Sequence, residues 1–184
     1  MSRRRRQPTP AIDRLVTGER AQLLAELLEA HPELVGEAEG RALARLAVAD
    51  VDAVAESIER ALRGADVGQL AHRAGRVRGR GYVHENEAAG EILDELLQPD
   101  LADLARRAAI GLHDAAGQIG LGLLRGLGEC RTAVADGTVL AYAGPDVTDG
   151  MAWSVCDALA RAGVSLPDDA FDRLPTGWSR LRDP

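Results

Sequence analysis

Aliphatic side chains recur every three or four residues through most of this chain, in segments that end at proline or glycine. Leu23, Leu24, Leu27 and Leu28 form one such stripe, and the His31–Pro32 step ends it because a residue before proline avoids the α conformation. Alanine, leucine and valine dominate the 46% of hydrophobic residues, with one Phe, two Trp and two Tyr. Small aliphatic side chains suit helix–helix packing better than a β-sandwich, so the sequence predicts an all-α fold.

Capping residues place the ends of two helices. Asp50 precedes a segment, Val51–Leu62, whose apolar residues repeat at helical spacing, and Gly64 follows it. Asp146 and Gly163 bracket a second segment in the same way. An acidic side chain before a helix and a glycine after it satisfy the unpaired backbone groups at its two ends.

Four glycines lie within one apolar helical segment. They are Gly120, Gly122, Gly126 and Gly128. Each costs up to about 1 kcal/mol in a helix relative to alanine, which predicts either close backbone packing or a broken helix. A dinucleotide-binding loop would need a third glycine, and Arg125 stands in its place.

Two positions are expected to depart from helix. Pro99 is predicted to end a helix at Gln98, with another helix beginning near Asp100. The stretch Thr132–Ala143 predicts either one small hairpin, closed at Asp136–Gly137, or an extended loop.

Short connections between the helices make neighbouring elements antiparallel. Two architectures fit: an irregular helical bundle, or a short HEAT-like stack of antiparallel helix pairs. Residues 9–184 are expected to form a single domain after a disordered basic tail at 1–8, with Trp178 and Leu181 docked onto the body.

Two segments resemble a class of bacterial HEAT-like helical proteins, some associated with SWIM-type zinc fingers. One is Leu23–Leu34, and the other runs from Glu87 to Cys130, with the stretches Ala-Arg-Arg-Ala from position 105 and Leu-Arg-Gly-Leu-Gly from position 124. The resemblance implies a helical accessory domain without assigned chemistry. The chain has no Cys-x-Cys and no paired Cys–His ligands, so no zinc role carries over.

The charge distribution bears on partners and compartment. The net charge is −7, and removing the four charges of Arg3, Arg4, Arg5 and Arg6 leaves −11, so the body repels nucleic acid and anionic membranes. Two isolated cysteines, no secretory signal pattern and no long apolar stretch predict a cytoplasmic protein with no membrane partner.

Positive charge is concentrated in one internal segment, which has no acid between Asp66 and Glu85. Its candidate binding residues are Arg73, Arg76, Arg78, Arg80, Tyr82 and His84. Arginine beside an aromatic residue is typical of nucleic-acid binding, whereas the alternative is a solvated loop lying on the acidic helices. The residues Arg3–Arg6 form a second candidate, either a nucleic-acid arm or an incidental terminus.

No catalytic, metal or cofactor motif is visible. The four histidines lack the spacing of a zinc site, and position 88, where HExxH needs histidine, is alanine. We therefore expect no cofactor and a non-enzymatic helical interaction module whose partner is another protein or a second copy. The alternatives are a nucleic-acid-associated protein using the arginine-rich segments, and an enzyme whose residues converge only on folding.

Overall fold

A computed structural model describes residues 11–79, 81–131, 134–175 and 178. The predicted basic tail with Arg3–Arg6, and also Arg80 and Leu181, lie outside the described residues. The chain divides into two compact units, one up to Arg45 and the other from Leu46 onward.

The structure confirms an all-α fold that also contains one small hairpin. The helices are α1 (Thr17–Ala30), α2 (Val35–Leu46), α3 (Val51–Arg63), α4 (Gly68–Arg73), α5 (Glu85–Ala109), α6 (His113–Arg131), α7 (Val139–Ala143) and α8 (Val147–Arg161). Among the described residues, 3-10 turns cover Ala11–Arg14, Pro32–Leu34 and Asp168–Arg173. Strands β1 (Gly75–Val77) and β2 (Gly81–Val83) pair antiparallel.

The unit up to Arg45 contains α1 and most of α2, joined by the turn at Pro32. The predicted helix end at the His31–Pro32 step is confirmed, because α1 stops at Ala30 and His31 caps it. Pro32 then occupies the first position of the 3-10 turn, where its missing N–H costs nothing.

The second unit is built around α6, which packs against α3, α5 and α8. The close-packing explanation of the α6 glycines is confirmed. A Cβ built on Gly122 would lie 2.7 Å from the Val54 Cβ, and one built on Gly120 would lie 2.8 Å from a Leu159 methyl carbon. Glycine therefore lets α3 and α8 approach the α6 backbone more closely than any other residue would allow.

The caps predicted for α3 are confirmed. The Asp50 carboxylate accepts hydrogen bonds from the N–H groups of Asp52 and Ala53, at 3.0 and 3.1 Å, and Gly64 forms the C-cap. Asp146 and Gly163 also flank α8, but the Asp146 side chain accepts no capping hydrogen bond and the C-cap is Ala162, one residue before Gly163.

The helix boundary predicted at Pro99 is wrong, because α5 runs unbroken from Glu85 to Ala109. Proline removes one hydrogen bond and crowds the preceding turn. Leu93 and Leu97 before it and Leu104 after it are fully buried, and this shared burial holds one helix across the proline.

The hairpin predicted near 132–143 is also wrong, since Val139–Ala143 form α7, capped by the Thr138 hydroxyl. Burial of Val139 and Leu140 on the body favours this helical turn. The hairpin of the structure lies instead at 75–83, where Gly75, Gly79 and Gly81 supply φ angles of 87–90°.

Candidate interaction surfaces

Large aliphatic side chains of the unit up to Arg45 are exposed. Across residues 11–45, which are all described, no residue is buried. Seven large aliphatic side chains are 41–66% exposed: Ile12, Val16, Leu24, Leu27, Leu34, Val35 and Leu43. These seven residues are called the aliphatic face below.

Helices of this length need such a face to be covered. In water, isolated helices shorter than about 12–15 residues are marginal, and burial of an amphipathic face supplies most of a helix's stability. The two helices have 14 and 12 residues and contain Gly18, Gly36 and Gly40, which lower helix propensity further. None of these glycines has a neighbour within 4 Å of a built Cβ, so close packing does not explain them.

Local bonds set the ends of α1 without supplying a core. The Glu19 carboxylate accepts the Val16 N–H at 2.9 Å, and the Arg20 guanidinium donates to the Asp13 carbonyl at 3.0 Å. Both bonds are exposed and span at most seven residues. Exposed pairs of this kind each contribute less than about 1 kcal/mol, so they do not replace burial.

The arginine-rich segment folds as the β1–β2 hairpin, and Arg73 anchors its base. The Arg73 guanidinium donates two hydrogen bonds to the Glu95 carboxylate, at 2.6 and 2.7 Å. These bonds lower the pKa of Glu95. Arg73, a predicted binding residue, is therefore engaged in holding the hairpin to α5.

The other candidate residues lie on the hairpin itself. Arg76 is the cross-strand partner of Tyr82, and partners in an antiparallel ladder project from the same face. Tyr82 is 68% exposed, and its ring meets the His84 ring edge-on at a centroid distance of 5.1 Å. Arg76 and Arg78 are exposed and form no ion pair in the described part of the chain.

Tyr142 joins this surface, although sequence reasoning did not select it. The two tyrosines of the chain, Tyr82 and Tyr142, line one groove of about 350 Å³, together with Val67 and Glu85. Tyr142 is 40% exposed. The one sequence signal that could have selected Tyr142 is the scarcity of aromatic residues, because each tyrosine stands out in a chain that has only two.

A second groove, of about 780 Å³, lies between α5 and α8. Its walls are mainly alanine, with Gln98, Ser154 and Arg161 as the polar lining residues. Arg161 is paired with Asp157. A lining without carboxylate, imidazole or thiol offers no general acid or base.

The two thiols are buried, which confirms the burial predicted for Cys156. Burial raises the pKa of Cys130 and of Cys156 to about 11. Thiolate is the reactive form, so at neutral pH neither side chain has the character of a nucleophile.

This burial predicts slow modification of both thiols. In native protein at pH 8, we expect Ellman's reagent to react with both cysteines at least about 100-fold more slowly than in guanidinium chloride, because two pKa units alone reduce the thiolate fraction by that factor. One equivalent of thiol reacting rapidly in the native protein would contradict the burial.

Within the described ranges, no group of three or more His, Cys, Asp or Glu residues converges as metal ligands would. No described helix combines the length and apolar content required to cross a bilayer.

Comparison with protein-family models, with curated proteins and with solved structures finds no match to this chain.

Proposed function

We propose that this chain is a helical protein-interaction module that associates through the aliphatic face of α1 and α2. The observation that carries the proposal is the complete lack of buried residues in two amphipathic helices whose leucines and valines are about half exposed. Exposed aliphatic clusters of this size mark sites of association.

The energy available from covering this face is substantial. Full burial of a Leu, Ile or Val side chain is worth roughly 1.5–3 kcal/mol, so covering the exposed half of seven gains about 5–10 kcal/mol before the costs of association. A gain of that order is comparable with the cost of association, about 4–15 kcal/mol.

A photo-crosslinking experiment tests this function. Benzoylphenylalanine replaces Leu24 on the aliphatic face or, as a matched control, Gln22, which lies 200° around the same helix. We expect irradiation of the full chain in its native cells to give discrete adducts with a protein from position 24 and none from position 22.

Mapping the adducts by mass spectrometry separates the outcomes. Equal labelling from both positions, or adducts only to residues 46–184 of the same molecule, would rule the proposed function out. An adduct to another copy and an adduct to a different protein both support it.

A second function, binding of single-stranded nucleic acid, is favoured by the unpaired Arg76 and Arg78 beside exposed Tyr82. The guanidinium groups suit phosphates, and a tyrosine ring gives a base a stacking surface worth about 1–3 kcal/mol. The −7 net charge of the chain repels nucleic acid, so binding would depend on these local contacts.

Fluorescence anisotropy with a labelled single-stranded oligonucleotide tests this second function. The double variant Arg76→Ala/Arg78→Ala is expected to bind at least about 10-fold more weakly. The slope of the logarithm of the binding constant against the logarithm of the salt concentration should become smaller in magnitude by about 1.4. The control Arg60→Ala/Arg161→Ala removes the same charge from exposed helical ion pairs and should change neither. Equal effects of the two double variants would exclude the hairpin as the binding site.

A further inference from the structure

We infer that the groove lined by Tyr82 and Tyr142, called the tyrosine groove below, binds a guanine base of a single-stranded nucleic acid. The inference rests on the second function above, nucleic-acid binding by the hairpin. With about 350 Å³, the groove lies at the small end of ligand-binding clefts, a size that suits one base better than a peptide segment. Three features support guanine: the two tyrosines, a carboxylate without a partner and an arginine beside them.

The walls of the tyrosine groove are aromatic and aliphatic. Tyr82 comes from β2 and Tyr142 from α7, and Leu70 and Ala71 of α4 add aliphatic surface. Both tyrosines are exposed, and the contact with the His84 ring restrains Tyr82. A tyrosine ring stacks on any base, because every base has a π-face. The tyrosines therefore explain why a base would enter, and the choice among bases needs a polar group.

Glu85 supplies this polar group. It is the first residue of α5, and no other charged residue lines the groove in the described part of the chain. Its side chain is exposed and forms no hydrogen bond or ion pair with a described residue. An ionised carboxylate only accepts hydrogen bonds, and it can take two parallel ones from a planar donor group.

Guanine is the base whose Watson–Crick edge matches a carboxylate. It presents two adjacent donors, N1–H and the N2 amino group, one for each carboxylate oxygen. Adenine and cytosine each present one amino donor beside a ring nitrogen that accepts, and the single N–H of thymine lies between two carbonyl oxygens. Lone pairs facing the carboxylate are repelled, so Glu85 favours guanine over the other three bases.

An arginine lies on the same side of the hairpin as the stacking surface. Arg76 is the cross-strand partner of Tyr82, so the two side chains project from one face. A base stacked on Tyr82 brings its own phosphate towards this exposed guanidinium, a good phosphate ligand. The same positive charge disfavours an organic cation, the other ligand that tyrosines and a carboxylate suit. The surface therefore fits a nucleotide, whose phosphate is anionic and whose base donates.

Changing one base of the probe tests the inference without altering the protein. Fluorescence anisotropy measures binding of the full chain to a labelled oligothymidine strand whose central base is thymine, guanine, adenine, cytosine or hypoxanthine. We expect the guanine strand to bind at least about 10-fold more tightly than the thymine strand, as bidentate base contacts do. Hypoxanthine keeps N1–H and lacks the N2 amino group, so its strand should bind with intermediate affinity.

Substitutions in the protein assign the preference to the tyrosine groove. Glu85→Gln replaces one acceptor with a donor and should abolish the preference for guanine without weakening the all-thymine strand. The control Glu56→Gln removes the same charge from an exposed position on α3 and should keep the preference. Tyr142→Ala removes a stacking surface and should weaken the guanine strand at least about 5-fold. Circular dichroism checks that each variant is folded.

The outcomes separate this inference from the functions on which it builds. Equal binding of all five strands would overturn the inference, and the second function would still stand if Arg76→Ala/Arg78→Ala weakens that binding. A guanine preference that persists in Glu85→Gln, or that Glu56→Gln removes equally, would also overturn the inference. If no strand binds, the inference and the second function fail together, whereas the protein-interaction function rests on the aliphatic face and is tested by crosslinking.

Discussion

Replacing Gly126 with alanine is expected to lower the free energy of unfolding of the 46–184 unit by about 3 kcal/mol. A Cβ built at this position would lie 2.5 Å from the Ala55 carbonyl oxygen and would also collide with the Ile58 side chain. The colliding oxygen belongs to the backbone of α3, so the strain is relieved only by moving that helix away from α6. Overpacking of this kind typically costs 1–3 kcal/mol, and the backbone contact places Gly126→Ala at the upper end.

Gly150→Ala is the matched control. Gly150 lies within α8 and has no neighbour within 4 Å of a built Cβ, so alanine there should stabilise the helix by up to about 1 kcal/mol. Chemical denaturation followed by circular dichroism measures both changes. Equal stability of the two variants would contradict the close approach of α3 and α6.

Truncating Trp178 to alanine has the other large expected effect, a loss of about 3–5 kcal/mol in unfolding free energy. Its indole is 1% exposed, and its Nε1–H donates to the Asp149 carboxylate at 2.8 Å. The same carboxylate lies 3.5 Å from the Arg131 guanidinium. Loss of the indole leaves a cavity and removes one partner from a mostly buried acid.

Trp178→Phe separates packing from hydrogen bonding. Phenylalanine keeps most of the apolar volume and removes the N–H donor, so we expect a smaller loss of about 1–2 kcal/mol. Thermal and guanidinium unfolding monitored by circular dichroism avoid dependence on the lost fluorophore. If the Ala and Phe variants lose the same small amount of unfolding free energy, burial of the Trp178 side chain contributes little to stability.

Local sequence signals predicted the parts of the fold that local chemistry determines. Asp50 and the His31–Pro32 step mark helix ends because capping and proline act within one turn of the chain. The α5 helix across Pro99 and the α7 turn were missed because burial against distant elements outweighs local preference there. The predicted docking of Trp178 is confirmed, although its partner Asp149 lies 29 residues away and could not be deduced.

The interaction surfaces were predictable only in part. The segment with Arg76 and Tyr82 was selected by composition, and the structure places both on one face of a hairpin. The leucine stripe of α1 was recognised as amphipathic, but periodicity identifies an apolar face without showing which surface covers it. Its exposure emerges only from the fold, where the unit up to Arg45 has no core of its own.

Amide hydrogen exchange in the purified chain tests most directly whether α1 and α2 depend on a partner. In dilute solution, below the concentration at which any dimer forms, amides of residues 17–46 are predicted to exchange nearly as fast as those of isolated helices, while α5 and α6 exchange slowly. Raising the protein concentration, or adding the partner that crosslinking identifies, should slow amide exchange in residues 17–46. The exchange rates of α5 and α6 should stay unchanged. Protection of α1 and α2 equal to that of α6 in the dilute monomer would contradict the account, because the two helices would then be stabilised within a single chain.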